Sequence, residues 1–375
     1  MSIHHIKSVE ELKKLTGIKV AQNQRDKFQE ILNKCPVRLT DFLINLVKKS
    51  PAVALQFLPN IKELENIGYE KPWVGVMDTG IHGLERMYID RCIIMPINQC
   101  PAYCRFCFRK FYEKRIEKPM SYEDIDKAIA YIKKDKRLKG ILITGGDPLL
   151  DLKILEYIMK NLRKIDHIQD IRIGTRSVMY DPARITDNFV NLLLKYHDLE
   201  NMKPVEIATH FNHPDELTPE SKKAILKLTK ASIRLYNQTV LLKNVNDDPV
   251  ILMDLFRKLR LLGVELYYLF HCIPVKGIQY LRTSIQRGLE IKKYFREGFA
   301  TGRINPTYVI ATKIGKVEIG VDGFIEKRIG QYVWIKTPYK VETYKSVFKD
   351  FEPPKDICKV DSDGFISIKY LDGQD

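Results

Sequence analysis

The sequence lacks a long apolar run, since no stretch approaches the roughly 18 unbroken apolar residues that a membrane span needs. Its first residues, Ser2-Ile3-His4-His5, are polar and do not resemble a secretory signal. Internal repeats and low-complexity linkers are also missing. These absences predict a soluble, cytoplasmic protein that is neither fibrous nor disordered. What is present suits a globular fold, because 375 residues, 45% of them hydrophobic, can bury a sizeable core.

Cysteine is also scarce, and the seven cysteines are too few for a disulfide scaffold at this length. Three of them, Cys100, Cys104 and Cys107, lie within eight positions, while the other four are scattered singly. Such a cluster in an intracellular chain indicates metal ligation.

The formal net charge of +15 raises the alternative of a nucleic-acid-binding protein with a structural metal. That alternative predicts strong, salt-dependent binding to RNA or DNA. However, basic residues are interspersed with acids along predicted helices, as in Glu10-Glu11-Leu12-Lys13-Lys14. This mixture favours an ordinary solvated, lysine-rich surface, so nucleic acid is not an expected partner.

The hydrophobic pattern divides the chain into three parts. Residues 1–80 read as helical, and Ser8 with Glu11 has the spacing of a capping box. Residues 81–311 alternate short apolar runs with amphipathic segments, which predicts βα units. The six predicted strands are 92–95, 141–144, 171–173, 205–208, 239–242 and 266–269. Residues 312–375 predict a small β appendage, with strands at 317–319, 323–325 and 332–335 and a hairpin at 361–364.

Six consecutive βα units without a break favour a partial (β/α)6 barrel of the TIM type over two doubly wound halves. In such α/β barrels the chemistry collects on the loops that follow the carboxyl ends of the strands. The helix starts support this reading, because Ser121 precedes one amphipathic segment and Thr218-Pro219 opens another.

The cysteine cluster follows the first predicted barrel strand in a C-x3-C-x2-C pattern. Three thiolates can ligate three irons of a [4Fe–4S] cubane, and the fourth iron is then open to the amino and carboxylate groups of S-adenosylmethionine (SAM). A structural zinc normally takes four ligands. No nearby residue supplies a fourth, since Cys92 lies on a predicted strand and Cys272 is far off in sequence. The pattern therefore predicts a radical SAM enzyme.

The next predicted strand ends in a glycine pair followed by an acid, Gly145-Gly146-Asp147. Paired glycines allow close approach of the backbone to a ligand, and here we expect this loop to bind the amino group of SAM. The alternative is that the glycines only form a turn after the strand.

These residues resemble the lysine 2,3-aminomutase family of radical SAM enzymes over roughly residues 85 to 310. Beyond the cysteines, the resemblance rests on residues 145–149, 171–176, 209–214, 237–243, 274–277 and 281–283. It implies a partial (β/α)6 barrel, SAM as a reversible radical source, and pyridoxal 5′-phosphate (PLP) as carrier of the migrating amino group. It also implies a low-potential electron donor and is compatible with a homo-oligomer.

The resemblance assigns roles to individual residues. His210 and Gln238 fall where family members contact SAM, although a buried polar pair at strand ends would look the same. Arg109 matches the arginine that pairs with the substrate's α-carboxylate, and its planar fork suits that task. A structural Arg109 is the alternative.

The resemblance also implies a PLP site. Tyr88 and Arg91 match residues that bind the PLP phosphate, but Met87 stands where the family has an arginine. The family's PLP-bearing lysine follows a glycine run, which here is shorter by two residues and nearly free of glycine. Lys316 is the best-placed candidate for that lysine and Lys313 the second. Either could instead be an exposed lysine at a strand end.

Lysine-specific members use two aspartates to hold the distal ammonium of the substrate, and the matching positions here are Ile273 and Ala311. Burying an ammonium without these counter-charges costs about 3–5 kcal/mol. We therefore expect a PLP-assisted 2,3-amino migration on an amino acid or aminoacyl group other than free lysine. The alternative is a PLP-independent radical SAM enzyme of another reaction type, as the altered lysine loop and Met87 suggest.

Overall fold

The computed structural model describes residues 2–70, 79–110, 119–296, 304–320, 325–346 and 348–373. The predicted strand 323–325 lies mostly outside these ranges. Within them, no helix is both long enough and apolar enough to cross a membrane.

The N-terminal part is mainly helical, as predicted, but it also contains a small sheet. Its elements are β1 (Ile3–Ile6), α1 (Val9–Thr16), α2 (Arg25–Lys34), β2 (Val37–Thr40), α3 (Asp41–Lys49) and α4 (Pro51–Phe57). β1 and β2 pair antiparallel. The helix start predicted at Ser8 is confirmed, because its hydroxyl accepts the Glu11 N–H at 3.2 Å. The Glu11 carboxylate accepts instead from Lys7 N–H, so the capping box is not reciprocal.

A single curled sheet forms the centre of the described structure. Its strands are β3 (Leu84–Arg86), β4 (Arg91–Ile97), β5 (Gly140–Gly145), β6 (Asp170–Gly174), β7 (Val205–Thr209), β8 (Arg234–Leu241), β9 (Val264–His271), β10 (Thr307–Thr312) and β11 (Gly315–Glu318). They lie side by side in chain order. β4 to β10 run parallel, and β3 and β11 pair antiparallel at the two edges.

The helices around this sheet are α5 (Tyr122–Lys134), α6 (Leu152–Leu162), α7 (Ser177–Tyr180), α8 (Asp187–Tyr196), α9 (Pro219–Lys230), α10 (Pro249–Leu261) and α11 (Ile285–Arg296). Ser121 caps α5 in a complete capping box, and Thr218 caps α9 with Pro219 in its first turn, as predicted. Along β4, Cys92 and Ile94 are fully buried while Arg91 and Ile93 line an interior cavity. The predicted partial barrel is confirmed.

All six predicted barrel strands are present, and the sheet continues beyond them. A seventh parallel strand, β10, pairs with β9. Residues 317–318, predicted as part of the appendage, form β11 and pair with β10. The reason is a tight hairpin: Gly315 adopts φ +127°, a conformation that favours glycine, and turns β11 back along β10.

The C-terminal part is a four-stranded antiparallel sheet, as predicted for the appendage. Its elements are β12 (Ile325–Ile329), β13 (Tyr332–Lys340), α12 (Val341–Lys345), β14 (Cys358–Val360) and β15 (Phe365–Leu371), in the sheet order β12-β13-β15-β14. β15 ends against the barrel, where buried Arg282 donates to the Leu371 carbonyl at 2.7 Å. The division at residues 80 and 311 stays a prediction, and the β10–β11 hairpin crosses the second boundary.

Candidate active site

The three motif cysteines lie on the loop that follows β4, and each is half-buried and not part of a disulfide. Among the described residues, no three Cys, His, Asp or Glu side chains converge as ligands of one metal ion do. A cubane does not need such convergence, because each thiolate ligates a different iron. A set of three thiols therefore fits a [4Fe–4S] cluster with one open corner better than it fits zinc.

Residues of the N-terminal part bind this cysteine loop through hydrogen bonds and an ion pair. Tyr103 N–H donates to the Arg38 carbonyl at 3.0 Å, and Arg105 N–H donates to the Gln56 carbonyl at 2.7 Å. The fully buried Arg105 guanidinium also binds the carboxylate of Glu63, with Nε at 2.8 Å from Oε1. The loop is thus fixed at its backbone and by a buried ion pair, which suits a rigid cluster site.

The glycine pair after β5 packs directly against the cysteine loop. Gly146 N–H donates to the Ile97 carbonyl at 2.6 Å, and Asp147 N–H donates to the Gln99 carbonyl at 2.8 Å. A Cβ atom at Gly146 would lie 2.0 Å from the Gln99 carbonyl oxygen. The glycines are therefore required for contact between the two loops, and the expected contact with SAM stays a prediction.

The Asp147 side chain is almost fully buried and binds the loop after β6. Its carboxylate accepts the hydroxyls of Thr175 (2.8 Å), Ser177 (3.0 Å) and Tyr180 (2.6 Å), and the Arg176 N–H at 3.2 Å. Through these hydrogen bonds the Asp147 carboxylate connects the loop after β5 to the segment after β6. The predicted role of Asp147 in cofactor binding stays a prediction.

His210 lies next to the cysteine loop. Its Nε2 is 2.8 Å from Asn212 Oδ1, and its ring meets Phe106 edge-on with centroids 5.6 Å apart. Burial, with Arg176 nearby, lowers the pKa of His210 well below its ordinary value, so the imidazole is neutral at physiological pH.

Sequence reasoning missed Arg176, whose Nη1 donates to Cys104 Sγ at 2.9 Å.

A cavity of about 690 Å³ lies on the inner side of the sheet. It brings together four of the predicted site residues, which are Tyr88, Arg91, Gln238 and Lys316. Met87 lines it as well. Lys313, the second candidate for the PLP-bearing lysine, is not among the described residues that line it.

Lys316 projects from β11 into this cavity. Its Nζ lies 5.3 Å from the Tyr88 ring centroid and 5.7 Å from that of Tyr268, and its backbone N–H donates to the Tyr88 hydroxyl at 3.2 Å. Burial, together with the cations Arg91 and Arg172, lowers the pKa of Lys316 to about 8. At pH 7 roughly a tenth of the amine is therefore neutral and nucleophilic, as reaction with a carbonyl cofactor requires.

Two arginines of the cavity differ in their partners. Arg172 is bound by Glu206, with Nη2 at 2.9 Å from Oε2. Arg91 Nε is buried and has no hydrogen-bond partner among the described residues, and the Asp170 carboxylate is 3.9 Å from Arg91 Nη2. A buried guanidinium nitrogen without an acceptor costs free energy unless a ligand supplies one. The phosphate of PLP is an anion that fits this position.

Arg109 is not among the described residues that line the cavity. Its Nη2 lies 3.6 Å from Glu85 Oε2, and its guanidinium lies 4.9 Å from the centroid of the Phe108 ring. The structure therefore does not bring it together with Lys316, and its predicted contact with a substrate carboxylate stays a prediction.

The partial barrel and its three-thiol loop define a radical SAM enzyme, and residues 94–256 match the Radical SAM superfamily. The chain is 36% identical to L-lysine 2,3-aminomutase of Methanococcus maripaludis, over 94% of this chain and 80% of that protein. It is 35% identical to L-lysine 2,3-aminomutase of Clostridium subterminale, over 82% and 73% of the two chains. It is 33% identical to glutamate 2,3-aminomutase of Clostridioides difficile, over 95% and 83%. The chain belongs to the lysine 2,3-aminomutase family, which confirms the resemblance.

Proposed function

We propose that this enzyme catalyses a PLP-assisted 2,3-amino migration on an amino acid or aminoacyl group other than free lysine. The observation that carries the proposal is Lys316, whose amine lies in a 690 Å³ cavity with a pKa of about 8. The unpartnered Arg91 Nε in the same cavity supports an anionic cofactor there. Relatives that act on lysine and on glutamate show that substrates differ within the family.

When bound, the cluster and SAM would supply a carbon-centred radical that removes a substrate hydrogen, and PLP would supply the carbonyl that carries the nitrogen. Cys100, Cys104 and Cys107 would hold the cluster. Lys316 would bind PLP through its neutral amine, and Arg91 would bind the phosphate. Burial and the nearby cations Arg91 and Arg172 keep the neutral form of the amine available.

The substrate preference is argued from Ala311 and Ile273. Ala311 lies directly opposite Lys316 in the β10–β11 ladder, so the two side chains share a face of the sheet. A carboxylate at this position would lie beside the reactive amine, but alanine provides no charge. Ile273 packs against the buried apolar cluster that includes Phe106 and Val275. The distal ammonium of lysine would find no counter-charge at either position.

The first test asks whether Lys316 binds PLP. Protein mixed with PLP and reduced with borohydride should carry a fixed adduct on the peptide that contains Lys316, and Lys316→Met should carry none. Lys313→Met is the matched control, because it removes the neighbouring lysine of the same hairpin and should retain the adduct. If SAM cleavage proceeds equally well without PLP and no adduct forms, the PLP-independent alternative replaces this proposal.

The second test concerns the substrate. Reconstituted enzyme, incubated without oxygen with PLP, SAM and a panel of amino acids and aminoacyl conjugates, should convert one of them to a β-amino product and leave lysine unchanged. The double variant Ile273→Asp/Ala311→Asp should gain lysine turnover, whereas Ile273→Asn/Ala311→Asn, of equal size without charge, should not. Efficient conversion of free lysine by the unaltered enzyme would contradict the proposed preference.

A further inference from the structure

Arg176, on the loop after β6, reaches the sulfur of a cluster cysteine. Its Nη1 donates to Cys104 Sγ at 2.9 Å, and its side chain is almost fully buried. The guanidinium lies between two aromatic rings, 4.9 Å from the Phe57 centroid and 5.4 Å from the Phe106 centroid. These rings exclude water, so the charge of Arg176 acts on the sulfur through a medium of low dielectric constant.

The remaining nitrogens of Arg176 are held by protein acceptors. Nε donates to the His210 carbonyl at 3.2 Å, and Nη2 donates to Gln56 Oε1 at 2.7 Å. Nη2 also lies 3.3 Å from Oε1 of Glu216, a fully buried carboxylate. Three acceptors, one on α4 and two in the segment after β7, fix the plane of the guanidinium, so its Nη1 remains directed at the sulfur without rearrangement.

We propose that Arg176 sets the reduction potential of the [4Fe–4S] cluster through its hydrogen bond and positive charge on Cys104 Sγ. Reduction adds one negative charge to the cluster and its thiolates. A cation that donates to a ligand sulfur stabilises the reduced state more than the oxidised state and so raises the potential. Arg176 is a positioning and tuning residue in this role, because it acts through the cysteine.

The ion pair between Arg176 and Glu216 leads to a second prediction, in which the reduction potential shifts in the opposite direction. Glu216 approaches the guanidinium at Nη2, while the sulfur is bonded to Nη1. The sulfur therefore lies nearer to the cation than to the anion, and the pair acts as a dipole whose positive end faces the cluster. Removing the cation should lower the potential, and removing the anion should raise it.

The experiment is a redox titration of the reconstituted full-length enzyme without SAM, in which electron paramagnetic resonance measures the reduced cluster. Arg176→Gln should contain roughly tenfold less reduced cluster relative to oxidised at a fixed solution potential, which is a shift of about −59 mV for one electron. Glu216→Gln should shift the ratio in the opposite direction. Arg163→Gln is the matched control, since Arg163 is also bound to backbone carbonyls but lies at the end of α6 beside the amino-terminal ends of the strands.

The variants Arg176→Gln and Glu216→Gln together can refute the proposal even if Arg176→Gln does not retain the cluster. If Arg176→Gln retains iron and its potential equals that of the unaltered enzyme, Arg176 is only structural and the proposal fails. If Arg176→Gln does not retain iron, Glu216→Gln decides alone: a raised potential supports the proposal, and an unchanged or lowered one overturns it. This inference rests on the cluster, not on PLP, so its failure would leave the proposed amino migration untouched.

Discussion

The folded protein disfavours the positive charge of Lys316, and this cost can be measured as a change in the free energy of unfolding. Burial and the cations Arg91 and Arg172 lower its pKa from an ordinary 10.5 to about 8. At roughly 1.4 kcal/mol per pKa unit, this gap corresponds to about 3 kcal/mol at pH 7. Because the side chain borders a cavity that water can enter, this is an upper bound. Lys316→Met keeps most of the length of the side chain and removes the charge, so it should stabilise the cofactor-free protein by up to that amount.

The pH dependence follows from linkage. Below pH 8, Lys316 is protonated in both the folded and the unfolded chain, so the full penalty is present. Between pH 8 and 10.5, the folded protein has released a proton that the unfolded chain still binds, so the unaltered protein gains stability as pH rises. Above pH 10.5, Lys316 is neutral in both the folded and the unfolded chain, so the penalty is gone. The advantage of Lys316→Met should therefore be largest at pH 7 and disappear by about pH 10.5.

The assay is urea unfolding of cofactor-free protein, followed by circular dichroism at pH 7, 8, 9 and 10. Lys313→Met is the control on the same hairpin, and it should change the free energy of unfolding by less than about 0.5 kcal/mol. Two results would refute the reasoning. One is a Lys316→Met protein that is less stable than the unaltered protein at pH 7, and the other is an advantage that stays constant across the pH range.

Two further predictions concern the loops that meet at the cysteine site. Gly146→Ala places a methyl group 2.0 Å from the Gln99 carbonyl oxygen, and it should lower the free energy of unfolding by about 1–3 kcal/mol and reduce iron content after reconstitution. Asp147→Ala leaves three buried hydroxyls without their acceptor, at about 1–3 kcal/mol for each unsatisfied group. Thermal unfolding and iron analysis of the purified variants measure both effects. A fully stable Asp147→Ala protein that only loses SAM affinity would show that the carboxylate binds the cofactor directly.

The barrel could be predicted because parallel strands covered by helices read as short apolar runs. The prediction was weakest where strands face the cavity. β8 begins at Arg234, five residues before the predicted start at 239, and its inward Gln238 is polar. Arg172 also places a polar side chain in the cavity from within β6, although the predicted strand 171–173 included it. A cavity that binds a polar ligand requires polar residues on the inner side of its strands, and these residues interrupt the apolar signal of the strand.

The candidate site was predictable where its residues are close in sequence and not where the fold assembles them. The three cysteines lie within eight positions, so their spacing alone indicated a cluster. Arg176 reaches Cys104 across 72 positions, and Arg172 joins Lys316 in the cavity from across the sheet. Residues 171–176 contribute to the family resemblance, but the sequence assigned neither arginine a role at the site. Only the order of strands in the sheet brings them to the site.

The lysine loop departs from the family pattern and still directs a lysine into the cavity. Side chains alternate between the two faces of β11: Lys316 and Glu318 line the cavity, while Val317 is fully buried on the other side. Because this alternation has a period of two, a loop shortened by two residues leaves the lysine on the same face, whereas a change of one residue would turn Val317 inward instead. The lost glycines are replaced by the single Gly315, whose positive φ makes the tight turn. The register therefore places Lys316 on the face of β11 that lines the cavity.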